Sequence, residues 1–291
     1  MGTIMRAYRH PDDLRALQGL VRRVWSPGCQ YHVGDLAWQR RQHLGREGEW
    51  PTALWEQDGV VVGWGWAELP GFLNLLVDPA RPNLIDAVLE WFDGVATAGP
   101  LTVVALQHDT RLVEALERHG YSRKQTEVYS QYMYRPLTGL PEPGSPPGFT
   151  VRPVSGEADA ARRAAVHQAA WHPSRVTEDS YRTVMAAWPY RADLDWVVEA
   201  PDGRFASYCL IWYDGHNRAG EIEPVGTDPQ FRRMGLARAA CLAALRALRD
   251  LGADKAVVYP TRGHPASQGA YPLYRDLGFI PHARTHTYEK P

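Results

Sequence analysis

Residues 221–240 read Glu-Ile-Glu-Pro-Val-Gly-Thr-Asp-Pro-Gln-Phe-Arg-Arg-Met-Gly-Leu-Ala-Arg-Ala-Ala. The opening predicts a strand ending near Thr227, and Asp228-Pro229 turns the chain. The Ala, Leu and Arg run that follows predicts a helix to Leu251, with Gly252 at its end. A helix N-terminus carries unpaired N–H groups and the positive end of the helix dipole, so it attracts phosphate. Gly235 and Ala237 leave the backbone open to a bulky pyrophosphate. Arg232, Arg233 and Arg238 add guanidinium groups suited to phosphate oxygens. Glu221 and Glu223, two apart on the strand, point to one face. Such a pair is a candidate general base or a surface acidic pair.

About 35 residues further on stands Leu273-Tyr-Arg-Asp-Leu-Gly-Phe279. With the loop from Arg232 through Gly235 to Ala237 and the preceding Val225-Gly226-Thr227-Asp228-Pro229, it resembles the GNAT superfamily of N-acetyltransferases over residues 150–290. The resemblance implies acetyl-CoA as co-substrate, lying in a splay between the fourth and fifth strands. It assigns cofactor contacts to Val225, Gly226, Thr227, Arg232, Arg233, Met234, Gly235, Leu236, Ala237, Arg238, Ser267 and Tyr274. Ser267 stands where the family often has Asn, and serine reaches less far. Glu221 matches the family's usual base, with Glu223 as second choice. Tyr274 matches the tyrosine that protonates the leaving thiolate, and Tyr271 shares its helical face. The oxyanion donor implied is a backbone N–H near Val225.

The chemistry agrees with those residue types. An amine of pKa about 10.4 needs roughly 4.6 kcal/mol to lose its proton at pH 7, which a positioned base reduces. A phenol of pKa about 10 is a suitable acid toward a thiolate of about 8.5.

Residues 137–148 hold four prolines and three glycines and read as a linker. The halves on either side run in step. Asp58-Gly59 and Asp202-Gly203 each join two β-rich runs, a hairpin signal. Asp78-Pro79 matches Asp228-Pro229, and Gly120-Tyr121 matches Gly278-Phe279. The expected fold class is α/β (α+β): two tandem GNAT-like domains, each a mixed, mostly antiparallel sheet flanked by helices. The expected domains are 1–137, a degenerate copy, and 150–291, the catalytic copy, with 138–149 as linker. Residues 127–134 and 285–289 read as each half's closing strand. The first half has Val77-Asp-Pro-Ala-Arg-Pro-Asn-Leu84 in place of the phosphate loop, with Pro82 removing an N–H. One acetyl-CoA per chain is therefore expected.

Net charge is −1, which gives no electrostatic case for nucleic acid or an anionic membrane. No apolar run spans a bilayer and no signal segment opens the chain, so a cytoplasmic protein is expected. Three scattered cysteines and unpatterned histidines predict neither disulfides nor a metal. Seven of the eleven tryptophans precede Pro100 and read as core or as an interface between the halves. The acceptor expected is a small-molecule amine. Its candidate walls are Trp171, His172, Tyr181, Trp188, Tyr190 and Trp212. A protein amine, or CoA binding without turnover, are the alternatives. Two such units in one chain are compatible with a monomer.

Overall fold

The structure, a computed structural model, describes residues 2–9, 11–144, 146–264 and 269–291. The first half runs β1 (Ile4–Ala7), α1 (Pro11–Val24), α2 (Val33–Arg41), β2 (Thr52–Gln57), β3 (Val60–Glu68) and β4 (Phe72–Val77). It continues with α3 (Leu84–Val95), β5 (Leu101–Leu106), α4 (Thr110–Arg118), β6 (Ser122–Arg123) and β7 (Tyr129–Pro136). The second half repeats that order, except that its two-residue strand precedes the last helix instead of following it, with β8 (Thr150–Pro153), α5 (Ala160–Ala170), α6 (Glu178–Met185), β9 (Asp195–Glu199), β10 (Phe205–Asp214) and β11 (Ala219–Thr227). Then follow α7 (Leu236–Asp250), β12 (Lys255–Val258), β13 (Thr261–Arg262), α8 (Ala270–Asp276) and β14 (Ile280–Lys290).

The hairpin signals hold. Asp58 and Gly59 sit at φ 53° and 76°, the two positive values a two-residue type I′ turn needs, and Gln57 pairs with Val60. Strand pairing is antiparallel except for β4 with β5 and β11 with β12. The mixed, mostly antiparallel sheets expected for each half are present, fused into one sheet of fourteen strands among the described residues.

The fusion exchanges strands. The order is β1-β2-β3-β4-β5-β14-β7-β12-β11-β10-β9-β8. Residues 285–290 of β14 pair with β5 of the first half, and residues 133–136 of β7 pair with β12 of the second. Each half's last strand therefore completes the other half's sheet. The linker is also anchored: Leu137 and Leu140 are buried in the second half's core, and Arg246 donates to the Leu140 carbonyl.

Helices cover both faces. The apolar stripe of α7, including Ala240, Ala244 and Leu248, packs on β9 and β10. On the opposite face α5 packs on β10 and β11, and there α2 of the first half joins it. Its approach is close: a Cβ on Gly34 would stand 2.2 Å from Trp212. The tryptophans account for much of this contact. Trp25, Trp64 and Trp66 share a core with Ala219 and Val257, and Trp38 packs with Tyr181 and Trp212. Fully burying each large apolar side chain is worth about 1.5–3 kcal/mol, so the halves do not separate without a large loss. No helix among the described residues is long and apolar enough to cross a membrane.

Candidate active site

Strands β11 and β12 pair in parallel only from Ala219 to Glu221. Beyond Glu221 the two part, and Ile222, Val225, Gly226 and Thr227 keep partners on β10 alone among the described residues. The divergence begins with a register shift: Ile222 faces Ile211 but Val225 faces Cys209, so β11 carries an extra residue around Glu223-Pro224. One side of the backbone at Val225, Gly226 and Thr227 is left facing a gap. Gly226 is needed there for packing, because a Cβ would meet the Tyr208 hydroxyl at 2.6 Å and Ala170 at 2.7 Å.

The phosphate loop opens the same end. Gly235 precedes α7 at φ 76°, with no atom within 4 Å of a Cβ placed on it and no side chain capping the helix. Arg233 is also left-handed, φ 65°. Leu236 is buried as a core anchor, whereas Arg232, Arg233 and Met234 are exposed. Arg232 makes one long contact, to the Ala170 carbonyl at 3.5 Å. The Nε of Arg238 donates to Asp276 of α8 at 2.8 Å, an exposed ion pair beside the helix start. Ala237 follows in the first turn of α7. Ser267 lies outside the described residues. The gap, the helix start without a side-chain cap, and two arginines with no ion pair among the described residues are what the expected pyrophosphate and pantetheine contacts require. Gly235→Val is expected to weaken acetyl-CoA binding about tenfold or more, since a left-handed β-branched residue costs roughly 1–2 kcal/mol before any blockage. Calorimetric titration checks this, with one site per chain expected in the native protein.

Three carboxylates meet near the point where the strands part. Glu221, Glu223 and Asp35 have oxygens within 4.8 Å of one another. The same-face reading of Glu221 and Glu223 is thus met despite the irregular strand. Asp35 is a residue the sequence reading missed, and it comes from α2 of the other half. Glu221 is 1% exposed, and its Oε2 lies 3.3 Å from Nδ1 of His32, the N-cap of α2. That nitrogen already accepts from the Gly34 N–H at 3.2 Å. The contact to Glu221 is therefore a hydrogen bond only when one of the two atoms carries a proton, and Oε2 has no other partner among the described residues. Burial, then the neighbouring Glu221, pushes the Asp35 carboxyl well above the usual range. Burial, then Asp35 and Glu221, does the same to Glu223.

This has a consequence for stability. A folded-state carboxyl held above its unfolded value binds a proton the unfolded chain lacks, so stability falls as pH rises past about 4. Asp35→Asn removes that penalty. The variant is expected to melt at the native temperature near pH 4 and above it at pH 8. Equal melting at both would show that Asp35 is solvated.

Tyr274 is buried on α8 beside Cys241 and Cys209. Burial, then those thiols and Glu223, raises its pKa well above 10, so it stays protonated at neutral pH. Pro272 occupies the third position of α8, where its missing N–H is tolerated. Among the expected acceptor walls, Tyr181 and Tyr190 instead donate to Asp195, which also pairs with buried Arg163 at 2.9 Å. Trp212 is buried and donates to the Glu223 carbonyl at 2.7 Å. Trp188 carries Arg15 at 3.5 Å from its ring, and Trp171 stays 45% exposed.

The parted parallel strand pair and the open start of α7 are the features expected of the class, and comparison with known proteins agrees. Residues 163–279 match the model of the acetyltransferase (GNAT) family. The chain belongs to the GNAT acetyltransferases, in their tandem form. The mycothiol acetyltransferase of Kineococcus radiotolerans is 32% identical over 77% of this chain and 76% of its own. That of Nocardia farcinica is 27% identical over 86% of each. A tandem GNAT protein from the clavulanic acid biosynthesis pathway has the same fold, with TM-score 0.66 at 13% identity over 99% of this chain and 98% of its own.

Proposed function

We propose that this chain moves the acetyl group of acetyl-CoA directly to a primary amine of a small molecule, with Glu221 as base and Tyr274 as acid. The observation that carries the reading is the meeting of Glu221, Glu223 and Asp35 at the mouth of the strand gap. An incoming ammonium has three N–H donors to place there. Three ionised carboxylates would hold it as a cation and oppose its deprotonation. With Asp35 and Glu223 raised toward their neutral forms, that opposition is reduced. Glu221 accepts the proton, and the amine attacks the thioester carbonyl. The backbone N–H near Val225 then faces the developing oxyanion, and Tyr274 protonates the departing thiolate. Glu223 is the second candidate for base.

Residues 150–291 carry the phosphate loop and Tyr274, while the first half supplies Asp35 and His32. The names of the relatives support a small acceptor over a protein amine. They also make an amine of the mycothiol series the first to try. The test is release of the CoA thiol across a panel of small amines and a lysine peptide. Turnover only with the peptide would overturn the small-acceptor reading, and no turnover with any amine would favour CoA binding alone. On any substrate found, Tyr274→Phe should slow the acetyl-transfer rate, and an unaltered rate removes Tyr274 as the acid.

A further inference from the structure

A second cleft, of about 950 Å³, lies at the opposite end of α2 from Asp35, between β1, β2 and the end of α3. One wall is Arg40. It is only 8% exposed, yet its guanidinium carbon lies 4.1 Å from the Tyr8 ring centre and 4.9 Å from that of Trp66. Its Nη1 donates to Thr52 Oγ1 at 3.2 Å, and its charged or polar neighbours are Tyr8, Glu47 and Arg41. Among the described residues no carboxylate forms an ion pair with it. Burial pushes its pKa down, as expected of a cation short of counter-charge. The other cleft arginines differ in state. Arg6 is neutralised by Asp13 and Glu56. Arg41 has a buried Nε without a hydrogen-bond partner among the described residues. Glu47 is the one carboxylate among the residues lining the cleft, against four arginines. The far wall is apolar, formed by Trp91 and Val95 of α3 with Ala53.

The geometry points to a binding site for a small organic carboxylate with an apolar body, its carboxylate on Arg40 and its body against Trp91 and Val95. A guanidinium presents its donors as a fork that matches a carboxylate, and the aromatic faces fix its plane. A buried cation without an anion is unfavourable, and a carboxylate supplies the missing charge. Inorganic phosphate matches the charge but leaves the apolar wall unused.

The experiment is calorimetric titration of the full chain, without acetyl-CoA, using 4-phenylbutyrate as probe. One equivalent is expected to bind with a submillimolar Kd, and 4-phenylbutyramide at least about tenfold more weakly. Arg40→Lys keeps the charge but loses the fork, and Val95→Glu sets a like charge on the apolar wall at a half-exposed position. Each should weaken the probe by about fivefold or more. Should Arg40→Lys fail to fold, Val95→Glu decides. No saturable binding up to about 20 mM, equal affinity for the amide, phosphate binding as tight as the probe, or affinity unmoved by the variants would each overturn the assignment. None of these readings depends on which amine the chain acetylates.

Discussion

Glu221→Gln is expected to lower the acetyl-transfer rate at pH 7 by about 10² to 10⁴-fold, the usual contribution of a positioned base. Glutamine keeps the shape of the side chain and can still meet His32, so the fold should survive. The diagnostic is pH. An amine of pKa about 10.4 becomes neutral without help as pH rises, so the deficit should shrink toward pH 10. A deficit constant across that range would mean that Glu221 organises the site without taking the proton. Glu223→Gln is the comparison. If it produces the larger, pH-dependent loss, the two residues exchange roles.

Removing residues 285–291 is expected to leave the protein unable to form its first-half sheet. Those residues pair with all of β5 from Leu101 to Leu106 and bury Tyr288 in the core around Leu89 and Phe92. Losing one buried aromatic costs about 3–5 kcal/mol, and the exposed β5 edge adds an unpaired ladder. Together these approach the whole stability of an ordinary domain, about 5–15 kcal/mol. Insoluble protein is the expected outcome. Tyr288→Ala, a milder change, should lower the melting temperature of both halves together, in one calorimetric transition. Two transitions, with only the first-half one shifted, would show that the exchanged strands do not couple the halves.

The loop before α7 was legible because its signals are local. Arg232, Gly235 and Ala237 lie within six residues, and Gly235 does occupy the left-handed turn before a helix. The repeated order of elements was legible for the same reason, each hairpin and helix being written in its own segment. The exchange of β7 and β14 was not. Alternation tells which side chains of a strand face the core, and both strands satisfy it equally in either sheet. Nothing in residues 129–136 names β12 as the neighbour. Asp35 was hidden twice over. Its helix begins with His32 in place of the usual Ser, Thr or Asp cap, and its partners lie almost two hundred residues away. The one hint was the density of tryptophan before Pro100, where Trp25, Trp38 and Trp64 proved to pack against the second half. The pairing of Arg238 with Asp276 was not legible either, because Asp276 approaches it only once α8 is folded.

The exchanged strands also set the order in which the molecule can be finished during its synthesis. Domains ordinarily fold as they emerge, at about 5–20 residues per second. Here β5 is made roughly 180 residues before the strand that covers it, a wait on the order of 10 to 40 s at those rates. Through that interval the first half carries an open strand edge and an unfilled place for Tyr288. The nascent chain is thus most exposed to aggregation, and most in need of a chaperone, in the half that lacks the phosphate loop.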